Sequence, residues 1–293
     1  MTDYGVLFRE LAIPRLVGTP HHEKVRGILK RELQTRGFSI DEHRFTGRPA
    51  RLLFGTPPLV QGTNLIAHRP SDPPRVRPSV WLVAHYDSKG QPISMLVRIG
   101  GFAALLVGLA GLLVVPIAAL GMLVLGTAVV FLNRVNDNSP GAVDNATALV
   151  AVFMALDQLP RDAAVGVIFP DAEELGLVGA RSLATDRRDL FAGAAVINLD
   201  GLDDVGRPTL WLHRPGPMGV ALAAALDARR WRWLPVIVDG IALAPVAAEC
   251  VTILKGNSRT MQIVHRPADT AKRVRLDGAA TVAAGLARVL RAP

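Results

Sequence analysis

Cysteine is almost absent: Cys250 is the only one in 293 residues. One thiol excludes an internal disulfide framework and a cysteine-based zinc knuckle. Aromatic side chains are scarce at 5%, too few for a base-stacking platform. The net charge is +8, yet no run of five basic residues occurs. The densest groups are Arg187-Arg188, Arg229-Arg230-Trp231-Arg232 and Arg273-Val274-Arg275, so no nucleic-acid partner is expected. Charged residues make up only 20% against 50% hydrophobic, which excludes a disordered chain. The first 16 residues carry Asp3, Arg9, Glu10 and Arg15 and no apolar block, so no signal peptide is expected.

Charge itself is missing from one long stretch. From Ile99 to Leu132, 34 positions, no residue is charged, and Arg98 and Arg134 flank the stretch. As one helix it would measure roughly 50 Å, well beyond the ~30 Å hydrocarbon core of a bilayer. Pro116 divides it into segments of 17 and 16 residues, which predicts a helical hairpin with Pro116 at or near its tip. Gly101, Gly108, Gly111, Gly121 and Gly126 offer small faces on which two such helices can pack. The hairpin is expected to be transmembrane or membrane-embedded, with lipid as its partner. A buried soluble hairpin and an apolar contact between copies are the alternatives.

Without that stretch the chain reads as alternating strands and helices. Residues 22–37 form an amphipathic pattern with Val25, Ile28, Leu29 and Leu33 on one face, ended by Gly37. Residues 143–159, 219–229 and 278–291 read as further helices. The runs 80–84, 165–169 and 194–199 are continuously apolar, as strands buried on both faces are. This alternation predicts a layered α/β domain around a mostly parallel sheet.

Chemistry-bearing residues follow these runs. His85-Tyr86-Asp87 comes directly after the first, Pro170-Asp171-Ala172-Glu173-Glu174 after the second, and Asp200-Gly201 after the third. The ends of parallel strands are where open α/β sheets place their sites. Gly141-Ala142-Val143-Asp144-Asn145 stands at a helix start, and His265 and Asp269 follow a strand-like run at 260–264. Each fragment alone is ordinary: adjacent glutamates are usually a solvated turn, and Asp-Gly is usually a turn.

In order, H-Y-D-S, G-A-x-D-N, E-E-L-G-L-x-G, N-L-D-G and H-x-x-x-D-T resemble the zinc-dependent aminopeptidase family of di-zinc exopeptidases. Bacterial leucyl aminopeptidase, glutamate carboxypeptidase and glutaminyl cyclase are among its members and relatives. The resemblance implies a three-layer α/β/α sandwich around a mostly parallel mixed sheet, with an inserted apolar helical hairpin. It implies one zinc peptidase domain over 1–293, interrupted by the hairpin at 97–134. It further implies two zinc ions bridged by Asp144, one held also by His85 and Asp200, the other by Glu174 and His265. Glu173 matches the general base, Asp87 the carboxylate that orients His85, and Asp269 a residue behind the ligands. The implied activity is hydrolysis of an amino-terminal peptide bond of a peptide substrate, through a metal-bridged water. Four clustered carboxylates need such cations to stay ionised together.

The sequence also departs from that pattern. The hairpin replaces a short loop between the first two motifs, and Asp239-Gly240 stands roughly where a Ser-Asp step is expected. Cys250 reads as a packed residue. His21, His22, His43, His68 and His213 match no motif, and most are expected at the surface. A non-catalytic interaction module of the same fold and a one-zinc glutaminyl cyclase-like acyltransferase are the competing readings. Arg98 and Arg134 at the hairpin's two ends predict a cell-membrane protein with its catalytic domain on the cytoplasmic side.

Overall fold

The computed structural model describes residues 2–51, 53–70 and 78–291. Its chain begins with helix α1 (Tyr4–Leu11) and helix α2 (Pro20–Thr35). Thr19 caps α2 by accepting from the His22 N–H, Pro20 occupies its first turn, and Gly37 follows at φ 78°. That conformation costs glycine nothing. α2 buries Val25, Ile28, Leu29 and Leu33.

Eight strands make one mixed sheet: β1 (Ser39–Gly47), β2 (Val60–His68), β3 (Val80–Val83), β4 (Val165–Phe169), β5 (Ala195–Leu202), β6 (Pro208–Arg214), β7 (Arg229–Trp231) and β8 (Glu249–Lys255). Their order is β1-β2-β4-β3-β5-β8-β6-β7. The centre, β4-β3-β5-β8, is parallel, while β1/β2, β2/β4 and β6/β8 pair antiparallel. Every residue of β3 and β4 is buried, which is why these strands read as unbroken apolar runs. β7 is exposed, and β1 is half-exposed to exposed except at buried Phe45; both carry mostly polar residues, so no apolar run marks them.

Helices cover both faces. α1, α2, α5 (Thr147–Gln158), α7 (Pro217–Ala225) and α10 (Asp277–Leu290) pack on one face; α6 (Val178–Asp186) and α8 (Gly240–Leu243) pack on the other with Trp81, Phe191 and Cys250. Nine of the 12 residues of α5 are buried. The run at 260–264 is helical rather than extended: α9 (Ser258–Ile263) starts from a capping box in which Asn257 and Thr260 satisfy each other's backbone N–H. His22 is buried, against expectation, because its imidazole stacks on Tyr86 and meets Asp171 Oδ1 at 2.8 Å.

Residues 95–131 form the expected helical hairpin: α3 (Met95–Gly111) and α4 (Pro116–Phe131) turn just before Pro116. Ser94 caps α3. A Cβ at Gly108 would lie 3.0 Å from the Ala119 carbonyl, and one at Gly126 2.8 Å from the Gly101 carbonyl, so the helices need glycine to touch. Gly121 has open space around it and takes no part. The transmembrane expectation is not supported, since no helix among the described residues is long and apolar enough to cross a membrane. At 17 and 16 residues, α3 and α4 each reach about 25 Å. The hairpin's base is fixed by backbone pairs between Gly90 and Asn136 and between Phe54 and 133–135. Phe131 stacks on Phe54, ring centroids 5.8 Å apart.

Candidate metal centre

The parallel strands β3, β4 and β5 deliver their residues to one edge of the sheet. His85 and Asp87 leave β3, Glu173 and Glu174 leave β4, and Asp200 lies near the end of β5. Asp144 comes from the tight turn over Ala142–Ala146 that precedes α5, entered through Gly141 at φ 57°. His265 follows α9 with φ 63°.

Asp144 stands between two imidazoles. Its Oδ1 lies 3.1 Å from His85 Nε2, and its Oδ2 lies 2.9 Å from His265 Nε2. Asp200 Oδ1 is 4.0 Å from His85 Nε2, and Glu174 Oε2 is 3.0 Å from His265 Nε2. Two buried triads result, His85–Asp144–Asp200 and Asp144–Glu174–His265, each able to bring three ligand atoms within 4.8 Å of one another. Nitrogen and oxygen donors of this kind fit a divalent transition ion such as zinc. Glu173 belongs to neither triad; its Oε2 lies 3.9 Å from His85 Nε2.

The scaffold behind these side chains is mostly hydrogen bonds to backbone. Asp87 accepts the N–H groups of both Glu173 and Glu174 at 3.1 Å, and its Oδ1 is 3.4 Å from His85 Nδ1. Asp269 accepts the N–H groups of Val143 and Asp144 at 2.8 and 3.3 Å, so it holds the Asp144 turn. Arg15 is fully buried and donates to the carbonyls of Tyr86, Pro140 and Gly141 at 2.8, 2.6 and 3.0 Å. It ties the His85 segment to the Asp144 turn.

The electrostatics separate the carboxylates. Burial raises Asp144, but hydrogen bonds to His265 and His85 outweigh it and leave this carboxyl well below the usual range. Burial of Glu174 is likewise outweighed, by His265 and Lys89, which hold it at about 2. Asp200 is pushed well up by burial and then by Asp144. Glu173 is also driven well up, by burial first; His85 opposes this, and Glu174 and Asp200 reinforce it.

Several contributors carry no motif signal. Lys89 Nζ lies 2.8 Å from Glu174 Oε2 and 3.0 Å from the Glu174 carbonyl. Arg98, from the second turn of α3, places Nη2 2.6 Å from His265 Nδ1. An imidazole that binds metal through Nε2 carries its proton on Nδ1, and a guanidinium has only donors. Arg98 must therefore turn aside for His265 to serve as a neutral Nε2 ligand. Asp239 is fully buried with both carboxylate oxygens unpartnered, and burial pushes it up to about 7. Its position, roughly where a Ser-Asp step is expected, was visible in sequence; its burial without a partner was not. A cleft of about 610 Å³ lined by His22, Glu23, Arg26, Arg44 and Gln61 contains none of the triad residues.

The fold is shared with solved structures of low identity. The LapA aminopeptidase of Legionella pneumophila is similar over 99% of this chain and 72% of its own, with 13% identity and a TM-score of 0.64. BSAP, a zinc aminopeptidase from Bacillus subtilis, is similar over 97% and 93%, with 11% identity and a TM-score of 0.65. A glutaminyl cyclase from Porphyromonas gingivalis is similar over 98% and 95%, with 16% identity and a TM-score of 0.68. No curated protein sequence matches the chain. At the level of sequence family, residues 64–290 match peptidase family M28. That span runs from the middle of β2 to the end of α10 and includes every residue of both triads, and the chain belongs to peptidase family M28.

Proposed function

We propose that this metallopeptidase is an aminopeptidase with two zinc ions, one held by His85, Asp144 and Asp200, the other by Asp144, Glu174 and His265. The observation that carries the reading is the division of Asp144, one oxygen toward each histidine. Zinc bound there would polarise a peptide carbonyl and lower the pKa of a water ligand. Glu173 is the general base: it is buried, outside both triads, and pushed up from the usual carboxylate range by burial. It takes a proton from the attacking water and hands it to the departing amine. Asp87 keeps Glu173 in place through the backbone and faces His85 on its outer side. We assign the whole chain to one peptidase domain interrupted by the hairpin at 97–134.

Full retention of both triads and Glu173 argues against a non-catalytic module. A glutaminyl cyclase-like acyl transfer is the second reading, because the fold neighbours include such enzymes. One experiment separates these readings: metal analysis with turnover on free aminoacyl amides, N-acetylated amides and amino-terminal glutaminyl peptides. Two zinc ions, cleavage of free amides only, and loss of at least about 100-fold in turnover for Glu173→Gln with metal retained are expected. One zinc with cyclisation of glutaminyl peptides would replace the aminopeptidase reading.

A further inference from the structure

The hairpin carries most of the large hydrophobic residues exposed among the described residues. Of the 23 large hydrophobic residues exposed among the described residues, 15 lie between Val97 and Leu132. The tip is barest: Leu113 is 96% exposed and Ile117 89%. On α3 the exposed positions include Ala103, Leu106, Val107, Leu109 and Ala110, which leave the seam against α4 and the base near α9 covered. On α4, Leu120, Met122, Val124, Leu125 and Phe131 are exposed, again on more than one face. A protein partner covers one stripe of a helix. Helices apolar on every remaining side need a solvent that is itself apolar. Thr127 is the only side chain from 99 to 132 with a polar group.

Length and anchoring define how such a solvent is met. The two ends of the hairpin pair with each other through Gly90–Asn136 and are tied to the domain, the first through the Gln91 N–H to the His265 carbonyl and the second through Phe54 with 133–135, so both stay on one side. The helices reach about 25 Å, short of the ~30 Å core. Around the base stand cations: Arg134, exposed Arg259 on α9, which packs against α3, and Arg266, whose guanidinium meets the carbonyls of Gln91 and Pro92. We propose that the hairpin is a monotopic membrane anchor that enters and leaves through one face of an anionic lipid bilayer, with arginines at its base resting among the headgroups. This proposal is independent of the metal chemistry and fails or stands without it.

The test uses the full-length protein, diluted from mild detergent into vesicles of 30% phosphatidylglycerol in phosphatidylcholine. The protein should float with these vesicles, and Leu113→Asp/Ile117→Asp should reduce the bound fraction at least about tenfold while zinc content stays unchanged. Both positions are nearly bare in the fold, so the variant retains its structure. Cys250 is buried, so a fluorophore on Ala118→Cys reports the tip alone. Its emission should shift to the blue with vesicles and be quenched by spin-labelled acyl chains, not by a polar quencher sealed in the lumen. Wild type left in solution, as monomers or as oligomers joined through the hairpin, overturns the proposal. Quenching from the lumen overturns the one-face geometry.

Discussion

The two halves of the candidate metal centre share Asp144 and differ in what stands behind them. On one side, His85 has an anion at its outer nitrogen, Asp87 at 3.4 Å. On the other, His265 has the Arg98 guanidinium at its outer nitrogen, and Lys89 sits on Glu174. A carboxylate behind a ligating histidine strengthens it as a donor; a cation beside the ligands repels a metal ion. The halves are therefore unequal hosts, one backed by an anion and the other by cations.

The largest effect tests what they share. Asp144→Asn should empty both halves and lower turnover by at least about 10⁴-fold, since it removes a ligand of both sites. Full occupancy of one half, measured by metal analysis, would show that Asp144 does not serve both.

Acid should separate the halves next. Burial raises the Asp200 carboxyl, and against burial the carboxylates around His85 raise its imidazole, so protons on both compete with metal, whereas Glu174, held at about 2, stays ionised. As pH falls the His85–Asp200 half should lose affinity, by up to about tenfold per pH unit for each proton that metal must displace, and protons from both His85 and Asp200 should be released on binding. The Glu174 carboxylate should release none. Calorimetry in buffers of different ionisation enthalpy counts these protons, and equal release from both halves would erase the distinction.

Smaller shifts sharpen it. Lys89→Met should tighten metal binding on the Glu174–His265 side by about tenfold, and Arg98→Ala by a few-fold, with the other side unchanged. Competition titrations with cobalt, followed by its visible absorption, resolve the two. Parallel tightening of both halves would place these cations in a general role.

Much of this geometry follows from sequence because the sheet is parallel at its centre. Buried strands such as β3 and β4 leave unbroken apolar runs, and whatever follows each run lands on one edge. His85, Glu173, Glu174 and Asp200 are therefore legible as neighbours. Asp144 and His265 depend on turns, and the family pattern supplies them. Lys89 and Arg98 were not legible: one sits a residue past a motif, and the other belongs to an insertion whose return to the centre depends on the pairs at 90 and 136. The helix α9 was misread because Thr260, Ile263 and Val264 suit a strand, while the capping box with Asn257 decides otherwise. The hairpin was legible from Pro116 and the glycines. Bilayer crossing was not, because apolarity alone says nothing of which side each end is tied to.

The hairpin's place in the chain also sets an order of events during synthesis. His85 and Asp87 precede it, whereas Asp144, Glu173, Glu174, Asp200 and His265 all follow. A ribosome adding about 5–20 residues per second completes the hairpin on the order of ten seconds before it adds His265. Until then each half of the centre lacks a member or a supporting strand. The apolar arm is thus finished while the nascent chain is still inert, and hydrolytic competence arises only after the arm has had time to find its surroundings.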